Sequence, residues 1–526
     1  MNRGNRTAAF ILLLGVLAIS LFPLRSNDLW WHLATGRTIL DQGIPQTDPF
    51  SFASDPVPWV NHAWGFDVTV YCLQMVLTPP GLIALRIAIV ALIALFLWVH
   101  RRRRGEGPWI ALAWILLLLV LARHRLMVRP ELVALLLLVF LLGSFADPSS
   151  RKPRQFFRIA LILLIWVNVH ASFVLGLGIA SVLLLGQSFR DRDWKPFLWI
   201  LPFTAIILAN PFGYRALVAP LRLMGDLARL PVENPEWARP SAMMALPLAA
   251  VTLFGLWILA SRKDLSLSYR VPFSFVIVMS AVLALTAVRH SGILAVTLAS
   301  LVPPIRWRAI GIFLGGALLA VFLGAWFTGP RPGWGVDREK FPIAALDIVE
   351  QVPPPGRLYN HPGMGGYLIW RLYPERQVFI DGRNELYIKL LTEINRSLVS
   401  LDRWVELLEK YGIRWAVLPY QGEVRVLQGE TIRSLPASIA RFPTDAWVLM
   451  DYDDAAMIFY ARSEVPSTLQ GRAYRVIPES PAYVLDRIRE GTWSSEEVKE
   501  ELNRKLKENP DCRRARELLD RIASEL

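Results

Sequence analysis

The stretch Asn27-Asp28-Leu29-Trp30-Trp31-His32, continued by Gly36-Arg37, Thr47-Asp48-Pro49-Phe50 and Trp59-Val60-Asn61-His62-Ala63-Trp64, lies between two apolar runs. The chain therefore leaves one membrane surface after the first run and returns to the same surface before the second. A merely connecting loop needs turn formers, yet here carboxylates, imidazoles and indoles are concentrated. An interfacial aromatic belt accounts for Trp30 and Trp31. It gives no reason for Asp28, His32, Asp48 and His62 beside them. The stretch reads as a reactive or ligand-binding loop.

Working outward, the 526 residues are 54% hydrophobic and only 19% charged, the balance of a polytopic α-helical membrane protein with a soluble portion attached. A formal charge of +13 in a soluble chain would suggest nucleic acid; here much of it lies in short loops between apolar runs, so no nucleic acid is expected. Spanning runs occur near 7–24, 82–99, 108–122, 132–146, 159–169, 172–188, 196–210, 246–260, 272–288, 291–304 and 309–327, about eleven spans. The segment 159–188 reads alternatively as one long helix. Several runs fall short of the ~20 residues a bilayer normally needs, so tilt or local thinning must help. Arg3 and Arg6 precede the first run as in a signal peptide, but no small-residue cleavage site follows, and an uncleaved span is expected. Cys72 and Cys512 make no disulfide framework.

Counting spans puts Arg101–Arg104, Arg151, Lys152, Arg154, Arg158, Arg190, Arg192, Lys195, Arg262, Lys263, Arg306 and Arg308 on one face with Arg3 and Arg6. By the positive-inside rule that face is cytoplasmic, which leaves the opening loop 25–81 and everything after Phe327 outside. His32, His62, His124, His170 and His290 map to the outer ends of spans, with Arg123, Arg125, Arg129, Glu131, Asn168, Asn210, Glu236 and Arg289. Snorkelling explains one such arginine. For Arg123, Arg125, Arg129 and Arg289 together an anionic ligand is the better explanation, because guanidinium matches phosphate oxygens in bidentate fashion.

The composition changes at Gly329. The membrane domain is read as 1–327, an α/β domain as 328–480 and a helical appendage as 481–526. Short buried strands are expected at 357–360, 377–380, 415–418, 446–450 and 456–460, with helices over 341–351, 386–400 and 401–411. Gly363-Met364-Gly365-Gly366 is too irregular for a phosphate-binding fingerprint and is not expected to open a helix. Ser494 with Glu497 forms a capping-box pattern, and Asn509-Pro510 is expected to cap the last helix.

The opening loop after a first span, with an acidic residue at its start, resembles the GT-C superfamily of membrane glycosyltransferases. Asp28-Leu-Trp-Trp-His32 with Gly36-Arg37, Trp166-Val-Asn168-Val-His170, Asn210-Pro-Phe-Gly213, Glu236-Trp237 and Gly365-Gly-Tyr-Leu-Ile-Trp370…Val378-Phe-Ile-Asp381-Gly-Arg383 is similar to a set of bacterial mannosyltransferase-like membrane proteins. The resemblance covers most of the chain. It implies a multi-pass protein of the bacterial inner (plasma) membrane, N-terminus cytoplasmic and C-terminal domain extracytoplasmic, that takes sugar from a polyprenyl-phosphate carrier. It carries the catalytic acid to Asp28. The adjacent second acid common in the superfamily is replaced by Leu29, and Asp48 is the candidate to take its place. Tyr367, Asp381 and Arg383 resemble an acceptor-recognition region, without its double-Trp signature.

Chemistry of this type needs a carboxylate to take the acceptor hydroxyl proton, a role for Asp28. It needs fixed positive charge at the leaving phosphate, a role for Arg123, Arg125, Arg129 and Arg289. Trp30, Trp31, Trp59 and Trp64 offer platforms for sugar rings, and His32, Arg37, His62, Asn168, His170, Glu236 and His290 complete the candidate substrate-binding set. His32 and His62 with Asp28 and Asp48 suit a divalent metal, Mn²⁺ or Zn²⁺, although their spacing matches no strong ligand motif. The alternative functions are a transporter or flippase of a lipid-linked or anionic solute, which places polar groups at the midplane and often repeats itself, or a non-enzymatic membrane scaffold. Polar groups here gather at one face and no repeat is visible.

Overall fold

The computed structural model describes residues 3–54, 58–145, 153–227, 236–305, 330–428 and 431–526. They form a helical membrane protein with a C-terminal α/β domain. Two compact units divide it, Met1–Ile44 with Val60–Gly335, and Pro45–Trp59 with Val336–Leu526. Part of the opening loop thus belongs to the second unit, and the first extends past the expected boundary at 327.

The first unit is built from α1 (Arg3–Ser20), α2 (Asn27–Gln42), α3 (Trp64–Arg103), α4 (Pro108–Leu121), α5 (Pro130–Phe145), α6 (Pro153–Val167) and α7 (Phe173–Asp191). It continues through α8 (Lys195–Leu198), α9 (Ile200–Ile207), α10 (Tyr214–Leu227), α11 (Ala242–Ser261), α12 (Leu267–Thr286) and α13 (Ser291–Leu301). Among the described residues α1, α3, α7, α11 and α12 are long and apolar enough to cross a membrane, and 108–121, 130–145, 195–207 and 288–301 are shorter apolar helices. The expected run 309–327 lies outside the described residues. The segment 159–188 is two helices: after Val167 the chain turns, and the Trp166 indole donates to Ser172 Oγ across the break at 3.1 Å.

Side chains apolar on every face place α4 and α13 in the middle, where Ala111–Val120 and all of α13 are buried. The outer helices keep residues such as Phe10, Leu253 and Phe275 exposed, as lipid contact requires. The loop expected at 25–81 is largely helical. α2 begins at Asn27, and α3 starts at Trp64 and kinks at Thr78, because Pro79 and Pro80 cannot donate to the ladder. The end of α1 is tied down by buried Arg86, which donates to the carbonyls of Ser20 at 2.9 Å and of Phe22 and stacks on the Phe22 ring. α2 and α3 meet backbone to backbone at Gly36, where a Cβ would lie 2.2 Å from the Asp67 carbonyl oxygen.

The second unit has a four-stranded sheet, order β1-β2-β6-β5, with β1 (Arg357–Asn360) parallel to β2 (Ile413–Pro419), and β5 (Trp447–Tyr452) and β6 (Ala456–Ala461) antiparallel. A separate antiparallel pair, β3 (Glu423–Gln428) and β4 (Thr431–Pro436), was not expected. The expected strand 377–380 does not join the sheet. Val378 exchanges backbone hydrogen bonds with Phe50 and Phe52 of the opening loop, and the Asn360 side chain bridges Phe379 and Ile380 to β1. The expected helix 341–351 is regular only over Asp347–Gln351.

Three local expectations are corrected. Gly363–Gly366 lies inside a helix, Pro362–Leu372, because Gly365 must be bare where the helix touches Ile380 and Asp381. Ser494 is an N-cap without a side-chain bond, since Glu497 is drawn to Arg475 at 2.6 Å. The last helix, Arg513–Glu525, is capped from elsewhere: Asp454 accepts from the amides of Arg513 and Arg514 at 3.1 and 2.9 Å.

Two predictions follow from these contacts. Gly36→Ala should lower the stability of the first unit by about 1–3 kcal/mol, because the backbones cannot separate freely; an unchanged detergent melting curve would show that they can. His361 caps Pro362–Leu372 by accepting from Gly363 N at 3.1 Å, which only an unprotonated Nδ1 does. Burial, aided by Arg441, pushes His361 from 6.5 down to about 4. A depressed histidine gives full stability above its unfolded value and loses it as pH falls toward the folded one. Acidification from pH 7 to 5 should therefore cost the second unit about 1–2 kcal/mol. His361→Asn, a good cap that does not titrate, should lose that part of the pH dependence; equal shifts of the thermal midpoint in both proteins would contradict this.

Candidate active site

In the first unit a guanidinium collects the site. Arg129 precedes Pro130 of α5; its Nε donates to Ser26 Oγ at 2.7 Å, one terminal nitrogen to Glu236 at 2.5 Å, and the other lies 3.5 Å from Asp28 Oδ2. Asp28 stands in the first turn of α2, where a carboxylate also favours the helix dipole. Arg125 ion-pairs with Glu131 and lies 3.3 Å from Glu236. Burial alone would raise the Glu236 carboxyl, but Arg129 and Arg125 outweigh it and hold the group at about 2. Glu236 is therefore an ionised anchor and a poor proton acceptor near neutrality. Asp28 is held by the longest of these ion pairs, and its side chain is 31% exposed.

Arg289 approaches from the turn between α12 and α13. Its amide donates to the Glu236 carbonyl at 3.2 Å, and its guanidinium lies 4.2 Å from the centre of the Trp237 ring. Among the described residues no carboxylate lies within 4 Å of it. His170 is in electrostatic reach of Glu131, Arg289 and His62. The structure thus brings Asp28, Arg125, Arg129, Glu236, Arg289 and His170 into one polar cluster. Glu131 joins them. Arg123 turns instead to the Pro330 carbonyl at 3.4 Å.

A second group ties α2 to α3. His32 Nδ1 is 2.5 Å from Asp67 Oδ1, and the other Asp67 oxygen accepts from Asn61 at 2.7 Å. Sequence reasoning passed over Asp67, although a lone carboxylate in the apolar stretch 65–77 was a usable signal. Trp31 packs on the His32 ring at 3.6 Å, and Trp30 is buried. Trp64 donates to Asn168 Oδ1 at 2.8 Å, and Asn168 in turn donates to the Leu164 and Ala209 carbonyls. His62 contacts the Ala216 carbonyl at 2.8 Å and His290 that of Leu283 at 3.1 Å. Arg37 is half-buried on α2.

Asp48, Asp381 and Arg383 assemble in the second unit. Arg383 pairs with Asp381 at 2.5 Å and Asp48 at 2.7 Å, Tyr387 donates to both carboxylates at 2.7 Å, and the guanidinium lies over Trp59 and Phe50. Burial would raise Asp381, but Arg383 and the hydrogen bonds hold it below the usual carboxylate range. Tyr367 is buried, stacked on Phe341 and hydrogen-bonded to Arg371. Asp28, His32, His62 and Asp48, the set weighed for Mn²⁺ or Zn²⁺, each have a different partner. No group of three or more His, Cys, Asp or Glu set to hold an ion occurs among the described residues. Guanidiniums pair with Asp28, Glu131 and Glu236 in this arrangement.

No family model and no curated protein matches this sequence. Solved structures do. The archaeal oligosaccharyltransferase AglB from Archaeoglobus fulgidus, in complex with an inhibitory peptide and a dolichol-phosphate, superposes with a TM-score of 0.58 at 10% identity, over 92% of this chain and 82% of that one. An Archaeoglobus fulgidus oligosaccharyltransferase in complex with Zn and sulfate gives 0.53 at 11% identity, over 82% of this chain and 73% of that one. At such identity the likeness is one of fold. This chain therefore shares the fold of these oligosaccharyltransferase structures.

Proposed function

We propose that the protein is a membrane glycosyltransferase that moves a sugar from a polyprenyl-phosphate-linked donor to a hydroxyl-bearing acceptor on the extracytoplasmic face. The observation that carries this reading is the cluster itself: Asp28 lies 3.5 Å from Arg129, and in the same cluster Arg289, in electrostatic reach of Arg129 and Glu236, has no carboxylate within 4 Å among the described residues. Asp28 takes the proton as the acceptor oxygen bonds to the anomeric carbon. The bond from that carbon to the phosphate oxygen breaks, and polyprenyl phosphate leaves with the electron pair against Arg289. Arg129 orients Asp28. The fold it shares with a protein whose structure holds a dolichol-phosphate supports the choice of donor class. About eleven spans, a cytoplasmic N-terminus and an external C-terminal domain complete the reading.

Asp28→Asn should reduce turnover of a polyprenyl-phosphate hexose by about 10²-fold or more while donor binding holds. Full turnover by the folded variant would remove the central role. Arg289→Gln should weaken binding of undecaprenyl phosphate in nanodiscs by about tenfold. The phosphate-binding set read from the sequence also holds Arg123, Arg125 and Arg129, whose side chains have partners within the protein. Removing Arg125 strands the buried Glu131 carboxylate, a loss of about 3–5 kcal/mol, so that variant tests folding, whereas Asp28 and Glu236, the partners of Arg129, are each about a third exposed. A flippase would instead move intact donor across vesicles without cleaving it, with Asp28→Asn unimpaired. In a cysteine-free background, external labelling should reach probes at Ser54 and Ser467; labelling at Gly105 would invert the topology.

A further inference from the structure

The second unit contains a cavity of about 360 Å³, a size suited to a small polar ligand. Phe52, Arg357, Glu375, Arg376, Gln377 and Trp415 line it. Its floor is made by the opening loop and by β1 and β2. Gly356, at φ +73°, turns the chain sharply before Arg357, a conformation that a side chain would strain. Arg357 lies over the Phe52 ring at 4.9 Å and Arg376 over the Trp415 ring at 5.7 Å. Both guanidiniums are thus held against aromatic rings by cation–π attraction. Arg357 spends one N–H on the Tyr411 carbonyl at 3.4 Å; among the described residues neither arginine has a carboxylate within 4 Å.

The rest of the wall is neutral or acidic and suits hydroxyl groups. Glu375 is an exposed acceptor with no ion pair among the described residues. Gln377 donates to the Pro49 carbonyl at 3.0 Å, so its amide oxygen is the group left to accept. Trp415 is fully buried, and its indole N–H has no acceptor among the described residues. Two cations beside a carboxylate and an amide suit a ligand that carries both an anionic group and hydroxyls.

We propose that this cavity is a saccharide subsite for a sugar ring carrying a carboxylate or a phosphate. Arg357 and Arg376 receive the anionic group, and Glu375 and Gln377 accept from ring hydroxyls. That such a ring belongs to the acceptor glycan rests on the transfer reading above; the binding does not. The test is binding to the full chain in nanodiscs by saturation-transfer NMR, with tri-galacturonate, maltotriose and inorganic phosphate as probes. Tri-galacturonate should bind at least about tenfold more tightly than maltotriose, and Arg357→Gln and Arg376→Gln should each weaken it by about tenfold. Trp415→Phe, which keeps an aromatic ring under Arg376, should weaken it less, with the melting curve preserved. Equal binding of maltotriose, or indifference to both arginine changes, would overturn the proposal. Displacement of tri-galacturonate by equimolar inorganic phosphate would overturn its saccharide part, leaving a bare anion site. No arm requires turnover, so failure here leaves the transfer reading standing.

Discussion

A guanidinium removed from water must have its N–H edges met, and Arg129 is where the first unit meets that demand. Its partners come from two places in the chain: Ser26 and Asp28 at the start of α2, and Glu236 ahead of α11. Each pairing is short in space and long in sequence. The α2 start cannot shift without leaving Arg129 unsatisfied, and α2 carries His32 to Asp67 and Gly36 to its bare contact on α3. One buried charge thus fixes the register of the polar end of the bundle.

The cluster is close to neutral. Asp28, Glu131 and Glu236 face Arg125, Arg129 and Arg289, and of the three guanidiniums only Arg289 lies without a carboxylate within 4 Å among the described residues. Such a balance holds fixed dipoles and charges in place before a substrate arrives, which is the condition for electrostatic stabilisation without reorganisation. It also gives the residues different parts. Glu236, held at about 2, stays charged through the physiological range and keeps its arginines oriented.

Much of the fold was legible because the bilayer demands apolar runs and a soluble domain does not. The helices of 25–81 were not, since polar and aromatic residues in α2 mask its period and Pro79-Pro80 looks like a loop. Arg125 and Arg129 stood out as cations on the disfavoured side, but whether a cation meets a ligand or a carboxylate from another loop is a matter of tertiary contact. Glu131 was visible beside them and was given no role. Asp48 and Arg383 were both singled out, yet their pairing joins residues 335 apart and no local pattern announces it. The β3–β4 pair escaped because it alternates exposed charge with modest apolar residues instead of forming a buried run.

The membership of 45–59 in the second unit bears on the order of synthesis. A chain made from its N-terminus presents Ser51 long before Phe379, whose carbonyl it meets 328 residues later. The strap with Phe50 and Trp59 must wait, its aromatic side chains uncovered, while the intervening helices enter the membrane. Closing so long a loop is slow compared with forming local helices. The second unit, although its first segment is made early, is therefore among the last to be completed, and a copy of the domain started at 336 would bury Arg383 without Asp48.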